Sequence, residues 1–336
     1  MLRVVFAGSP QCAVYALEAV AREHTIVAIL TNPPSRQGRS GNLVPTEVET
    51  AARALMAQGC IPSDTPILSP EKIDDATRAA IAAQEPDVLS CFAYGHIFGP
   101  KTLALFPKGA INLHPSLLPR WRGCAPIPAA ILAQDSCTGI TIQRLARQMD
   151  SGDILEQKCI PLDGSEYADE LLDRASREGA PLLVDVLHRL EAGTLTERPQ
   201  NPQEATYSAM LCKDDGVIDW SQSAQAISAR IRAFHPWPGA FTLVKGERLI
   251  LRNAHVIDDA SSPIKEQPAG FVIGIDKKEG ILVQTGSGLL ALETLQWSGK
   301  KALDYKAFAN GTRDFPGTIL GGTLPQSTDN TQGTHL

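Results

Sequence analysis

The sequence predicts an α/β domain with a parallel-type sheet, joined to a smaller second domain built as a β-barrel or sandwich. Three observations carry this. Through the first half, strand-like runs rich in Val, Ile, Leu and Phe alternate with amphipathic helix-like stretches, the order expected of a parallel sheet covered by helices on both faces. From Gly193 to Ala205 the composition shifts to Pro, Gln, Asn and Thr, which reads as a linker. Beyond it, short β-rich segments punctuated by glycines follow one another, as in small barrels or sandwiches. A length of 336 residues also favours two cores over one.

In chain order, residues 2–7 form the first strand. The run ends at Ala7-Gly8-Ser9-Pro10, where glycine permits a tight turn and proline suits a first helical position. The fuller glycine fingerprint of dinucleotide sites is missing, so an ordinary strand-to-helix turn is expected. Helices follow at 11–22, 46–58 and 74–84, and strands at 25–31, 87–93, 110–113 and 139–145. The connection at 32–44 exceeds the usual few residues and carries Arg36 and Arg39 without an acid, the mark of a functional or disordered loop. A strand at 153–162 and a long helix at 166–192 complete the first domain, residues 1–192. After the linker, 193–206, the second domain at 207–317 has β segments at 217–220, 240–244, 248–258, 270–275, 280–285 and 289–296, with a helix at 222–234. Lys277-Lys278 and Lys300-Lys301 suit hairpin tips, and Trp237 with Phe241 suits a packing corner. Residues 318–336, rich in Thr, Gly, Gln and Ser, are expected to be a disordered tail.

Composition narrows the class. Hydrophobic residues make up 43% and charged residues 20%, ordinary globular usage. The first apolar run is too short for a signal peptide, and no run approaches the ~18 residues of a spanning helix. Seven cysteines, Cys12, Cys60, Cys91, Cys124, Cys137, Cys159 and Cys212, are odd in number and never form CxxC. Neither a disulfide framework nor a zinc site is expected, and a reducing cytoplasm is. Cys91 and Cys124 read as buried small apolar residues. The net charge is −6, and because 13 basic and 13 acidic residues balance from residue 206 onward, the excess lies in the first 205 residues. Any nucleic-acid contact must use local basic patches.

Chemistry concentrates in Ile111-Asn112-Leu113-His114-Pro115-Ser116-Leu117-Leu118-Pro119-Arg120-Trp121-Arg122-Gly123. Asn112 and His114 are two apart on a strand and share a face. At the carboxyl edge of a parallel sheet that face meets the ligand crevice. An amide and an imidazole there can both donate to a tetrahedral oxyanion. A carboxylate that orients the histidine could be Asp150 or Asp153; spacing does not choose between them.

The ordered set Asn112-x-His114-Pro-Ser-Leu-Leu-Pro119, Thr138-Gly139-Ile140-Thr141 and Met149-Asp150-Ser151-Gly152-Asp153 resembles the signature of the folate-dependent formyltransferases. The resemblance implies a Rossmann-like domain followed by a β-barrel (OB-like) domain. It implies that Asn112, His114 and Asp150 are the catalytic trio. Ser116, Leu117, Leu118 and Pro119 would form the folate-contacting loop, while Phe92, Ala93, Tyr94 and Gly95, with His96, would line the pterin pocket. The co-substrate would be 10-formyltetrahydrofolate, and no metal is required. Within that family Phe6–Pro10, the Arg36–Arg39 loop with Leu43-Val44-Pro45, Arg120–Pro126, Lys213–Trp220 and Arg232–Gly239 are similar to the branch whose amine is the methionine of initiator methionyl-tRNA. That likeness runs to about residue 317. It implies tRNA contacts from Arg36, Arg39, Arg120 and Arg122 and a tRNA-binding role for the second domain, 207–317, in a monomeric cytoplasmic protein without membrane attachment.

Three departures from the family pattern stand out: Glu49 where a lysine is usual, Cys124 for alanine, and Gln143–Arg147 for a methionine-and-aspartate run. Glu49 weakens the expected RNA affinity. Competing functions are formylation of an amino sugar nucleotide, folate binding without catalysis, and a dinucleotide-dependent oxidoreductase. The Arg36–Arg39 loop and the Lys213–Trp220 segment oppose the first, the intact trio opposes the second, and the missing GxGxxG opposes the third. Arg39→Ala is expected to cost about 1–3 kcal/mol in kcat/KM for charged initiator tRNA, the scale of a lost specific arginine contact, with folate binding unchanged. Formylation kinetics at low and high salt check this, and equal loss with a minimal amine substrate would place Arg39 in folding or folate binding instead.

Overall fold

A computed structural model describes residues 1–36, 41–257 and 267–321. The chain divides into two compact units, the first Met1–Met210 and the second beginning at Leu211. Unit 1 opens with β1 (Arg3–Ala7), α1 (Gln11–Glu23) and β2 (Thr25–Leu30). A short ribbon, β3 (Ser35–Arg36) against β4 (Leu43–Val44), precedes α2 (Glu47–Ala57). Next come β5 (Ile67–Leu68), α3 (Asp75–Ala82), β6 (Val88–Cys91), α4 (Pro100–Leu103) and β7 (Ala110–His114). The unit ends with β8 (Arg122–Gly123), α5 (Pro126–Leu132), β9 (Cys137–Arg144), β10 (Ile154–Pro161), α6 (Ala168–Ala192) and β11 (Tyr207–Ser208).

Seven strands form the main sheet in the order β10-β9-β7-β6-β1-β2-β5. From β5 to β7 the neighbours are parallel, and β1, β2 and β6 are buried along almost their whole length, as strands covered on both faces must be. One face carries Val5, Ala7, Leu89 and Cys91 against Ile81 of α3 with Phe98 and Phe106. Helices α1 and α6 pack on each other and α6 on β9 and β10; the apolar stripe of α1 is Ala13, Ala16, Leu17 and Val20. Side-chain caps start α2 at Thr46 and α3 at Asp74, which satisfies amides that no helical carbonyl can reach. The 139–145 segment, expected within a parallel-type sheet, becomes β9 and runs antiparallel to β7. The intervening connection stays at the carboxyl edge, so the chain re-enters the sheet in the reverse direction.

In unit 2, α7 (Ala224–Ala233), β12 (Phe241–Val244), β13 (Glu247–Ile257), β14 (Val272–Asp276), β15 (Gly280–Gln284), β16 (Leu289–Trp297), β17 (Leu303–Asp304) and α8 (Tyr305–Gly311) follow one another. The strands make one antiparallel sheet, β12-β13-β16-β15-β14 with β17 on β16, curled into an OB-like half-barrel. Bulges in β13 and β14 supply the local twist that such curling needs. Its core joins Trp220, Ile227, Ile231, Leu249, Leu292, Leu295, Phe308 and Phe315.

The 217–220 segment is not a strand; Val217 makes one isolated bridge to Phe241 after a 3₁₀ turn at Lys213–Gly216. Phe241 is buried, whereas Trp237, expected in the same packing corner, is 54% exposed. Its position in the connection before β12 leaves its ring outside the core. At the carboxyl end, where a tail was expected from residue 318, Leu320 is buried and Ile319 bridges to Phe271; residues 322–336 lie outside the described residues. Lys277 and Lys278 sit at the β14–β15 turn.

Burial holds the thiols of Cys12 and Cys91 up at about 12, while Cys60, Cys124, Cys159 and Cys212 are exposed. Only the thiolate reacts. At pH 8 a maleimide should label the exposed group in the folded protein and reach Cys12 and Cys91 only after denaturation, as read by peptide mass mapping; rapid labelling of native Cys91 would contradict the packing of β6.

Candidate active site

The parallel sheet brings Asn112 and His114 to the carboxyl end of β7. Asn112 lies in register between Cys91 of β6 and Gln143 of β9, and His114 lies opposite Thr141. Among the described residues the half-buried Asn112 amide makes no hydrogen bond, leaving its two N–H donors uncommitted. His114 is 5% exposed, and its Nε2 lies 2.9 Å from the Trp121 carbonyl. A carbonyl only accepts, so Nε2 carries the proton. Nδ1 faces Asp150 Oδ2 at 3.7 Å, close enough for charge attraction and too long for a hydrogen bond.

Asp150, rather than Asp153, is the carboxylate that meets the imidazole. Its Oδ2 accepts from the Gly123 amide at 2.8 Å and its Oδ1 from Gln143 Nε2 at 2.8 Å, whereas Asp153 enters through its backbone carbonyl, bonded to the Arg144 amide at 2.9 Å. Two glycines allow this closeness. A Cβ on Gly123 (φ +108°) would stand 2.3 Å from the Ser208 carbonyl, and one on Gly152 would stand 1.9 Å from that of Arg144. Asp150 itself has φ +52°, a conformation that L residues adopt at a cost.

Behind the carboxylate lies a buried polar hub. Gln200, 8% exposed, donates through Nε2 to the carbonyls of Asp150 (2.9 Å) and Gly152 (2.7 Å), with a longer approach of 3.3 Å to Gln143 Oε1. Its Oε1 accepts from Arg122 Nε (3.0 Å) and Nη2 (2.7 Å). This corrects one expectation. Arg122, read as a nucleic-acid contact, is 3% exposed and its guanidinium is spent inside the unit, because only there does the Asp150 loop find its scaffold. Arg120 is partly exposed and pairs with both oxygens of Asp135, at 2.9 and 2.5 Å, while stacking on Trp121. Arg36 is exposed on the β3–β4 ribbon, and Arg39 lies outside the described residues. Glu49 is buried and bound to Arg53 at 2.8 Å, so it presents little free negative charge. Cys124, expected to be buried, is exposed; β8 turns its side chain outward beside Gly123.

The expected pocket residues lie at neighbouring ends of the sheet. Phe92 and Tyr94 are buried, and Ala93 (φ +52°) and Gly95 (φ +87°) turn the chain out of β6. Tyr94 stacks on Phe98 at 5.5 Å and contacts His96 at 4.9 Å; burial pushes its phenol up to about 12. Among the described residues the Tyr94 hydroxyl and Asn32 Oδ1 are buried without a partner, as groups awaiting a polar ligand would be. In the Ser116–Pro119 loop, Ser116 is fully buried, its hydroxyl donating to the Arg120 carbonyl at 2.6 Å, and Leu118 is buried too. Thr141 Oγ1 ties this loop to β9, donating to the Ser116 carbonyl (2.6 Å) and accepting from the Leu118 amide (3.1 Å). Leu117 and Pro119 are therefore the loop's partly open members.

An uncommitted amide, an oriented imidazole and a largely buried carboxylate thus converge at a sheet edge, a set suited to acyl transfer with proton movement. Sequence reasoning missed Gln143 and Gln200 as parts of it. Gln143 had a signal, standing two positions from Thr141 on one strand face; Gln200 had none. Among the described residues no group of three or more His, Cys, Asp and Glu could hold a metal ion.

The sequence profile of the family described as "Formyl transferase" matches residues 2–187, and that of "Formyl transferase, C-terminal domain" matches residues 210–313. A protein of Treponema denticola named "Methionyl-tRNA formyltransferase" is 49% identical over 315 residues, covering 94% of this chain and 98% of its own. Among solved structures, HypX from Aquifex aeolicus in complex with tetrahydrofolic acid aligns with TM-score 0.60 at 13% identity, over 94% of this chain and 48% of that one. The N-formyltransferase from Helicobacter canadensis, in complex with folinic acid and dTDP-3-aminofucose, aligns with TM-score 0.63 at 16% identity, over 87% and 99%. At such identities these structures establish a common fold. The glycine geometry yields a direct test: Gly152→Ala, whose Cβ would meet backbone and not a flexible side chain, should lower the unfolding free energy by about 2–4 kcal/mol. Urea denaturation measures it, and a neutral result would mean that the loop is not packed as described.

Proposed function

The chain belongs to the formyl transferase family, and from that premise we propose that it transfers the formyl group of 10-formyltetrahydrofolate to the α-amino group of methionine on initiator methionyl-tRNA, for translation initiation. The observation that carries this reading is the convergence of Asn112, His114 and Asp150 at the β7 edge in a chain 49% identical, over 94% of its length, to a methionyl-tRNA formyltransferase. The sugar N-formyltransferase shares the fold at 16% identity and does not displace it. On this reading the protein acts as a cytoplasmic monomer, and no described helix is long and apolar enough to cross a membrane.

The residues present fit a folate. Tyr94 Oη and Asn32 Oδ1, which have no partner among the described residues, suit a heterocycle with both donors and acceptors, and Leu117 and Pro119 offer apolar surface for its flat parts. When bound, the folate supplies an activated formyl carbon on N10. The uncommitted Asn112 amide would donate to the acyl oxygen as negative charge develops there, a donor worth about 3 kcal/mol. His114, with Nε2 held by Trp121, turns Nδ1 toward Asp150; this pair accepts the proton that the attacking amine loses and returns it to the departing nitrogen. Asp150 balances charge on the ring. Arg36 and Arg39 would serve the acceptor end of the tRNA, since guanidinium pairs with phosphate and stacks on bases.

Asn112→Ala, His114→Ala and Asp150→Ala should each lower kcat by about two to four orders of magnitude, with much smaller changes in folate affinity. Steady-state formylation of charged initiator tRNA, with calorimetric folate binding beside it, provides the test. Full turnover by folded His114→Ala would remove this mechanism.

A further inference from the structure

From Glu191 to Met210 the chain runs over the surface of unit 1, and one side chain in that stretch is buried, the amide of Gln200. The segment is anchored on both sides of it. Arg198 exchanges backbone hydrogen bonds with Ile154 at 2.8 and 2.9 Å, just beyond the Asp150 loop. Thr206 holds the Trp121 amide through its hydroxyl at 2.9 Å and the Arg122 amide through its carbonyl at 2.9 Å, and Ser208 Oγ takes the Ala125 amide at 3.1 Å. The strap therefore touches the two loops that present Asp150 and Trp121 to His114.

We propose that Gln200 is a positioning residue of the active site, locking the Asp150 loop to the Arg122 loop; this rests on the reading of Asp150 as His114's partner. Hydrogen bonds close a ring. Asp150 Oδ2 receives the Gly123 amide, the neighbouring Arg122 guanidinium binds Gln200 Oε1, and Gln200 Nε2 returns to the carbonyls of Asp150 and Gly152. Gln200 donates and accepts through one planar amide, and Gln143, which donates to Asp150 Oδ1 at 2.8 Å and is approached by Gln200 Nε2 at 3.3 Å, braces the same carboxylate from β9 without reaching the Arg122 loop. The two carbonyls it gathers flank the left-handed turn at Asp150, a conformation that persists only where its surroundings over-determine it. Released from Gln200, the loop would relax and the carboxylate would drift from the imidazole while the folate and tRNA surfaces stayed in place.

The variant that isolates this is Gln200→Glu in the full chain. It keeps size and shape, gives Arg122 an acceptor, and sets an oxygen against the carbonyls of Asp150 and Gly152. We expect kcat for formylation of charged initiator tRNA to fall by about 10- to 100-fold, the effect of a displacement near 1 Å at a reacting group. KM for each substrate should stay within about threefold, while the thermal midpoint falls by a few degrees, the cost of two buried hydrogen bonds lost in a protein that stays folded. Gln200→Asn, an amide too short to span both loops, should show the same split and decides the matter if Gln200→Glu fails to fold. Gln203→Ala, on the exposed part of the strap, should behave as wild type. Unchanged kcat in a folded Gln200 variant, a change confined to KM, or an equal loss in Gln203→Ala would overturn the inference. Asp150→Asn run alongside separates the two levels: if it is fully active, the role of Asp150 has failed; if it is inactive while Gln200→Glu turns over normally, only the role of Gln200 has.

Discussion

A carboxylate that is largely withdrawn from water needs hydrogen-bond partners in place of it, and the active site is organised around supplying them to Asp150. Its oxygens receive the Gly123 amide and the Gln143 side chain, and the His114 ring lies beside them. Each partner imposes a condition elsewhere. The Gly123 amide can approach only because β8 pairs with β11 and no Cβ separates Gly123 from Ser208. Gln143 faces the site only in the register that sets it opposite Asn112; a slip of one residue would send it to the other face of the sheet.

The sheet supplies what loops alone could not. β1 is flanked by β2 on one side and β6 on the other, so the chain reverses its progression there, and a crevice opens where the connections diverge. Ser9, Asn32 and Tyr94 border that crevice; Ser9 Oγ accepts the Asn32 amide at 3.0 Å. Asn112 and His114 stand on β7, beyond β6 in the same parallel array. The residues proposed for ligand binding and chemistry thus stand at adjacent strand ends, and the carboxylate arrives on a loop, on which many hydrogen bonds converge.

Electrostatics fit a polyanionic substrate held locally. With a net charge of −6, no broad positive field draws nucleic acid in. Several arginines of unit 1 are already paired: Arg53 with Glu49, Arg120 with Asp135, Arg144 with Glu197. Arg36, on the ribbon, has no acidic partner among the described residues.

The sequence by itself determined the alternation of strands and helices, the pairing of Asn112 with His114 on one face, and the motif order that marks the family. These follow from periods of two and 3.6 residues and from short-range spacing, all written locally along the chain. Spacing left Asp150 and Asp153 as equals, and the family resemblance alone preferred Asp150; Arg122 read as a tRNA contact and Trp237 as part of a packing corner. The tertiary structure sets Asp150 against His114, buries Arg122 and leaves Trp237 exposed, and only it reveals Gln200, one polar residue among many in a stretch that resembles a linker. The reason is that a buried polar group is defined by its partners, and here they come from strands and loops far apart in sequence: Gln143 on β9, Gly123 on β8, Gln200 on the strap. Composition can show that a glutamine is present, but the desolvation that makes its two bonds decisive exists only once the chain has closed around it.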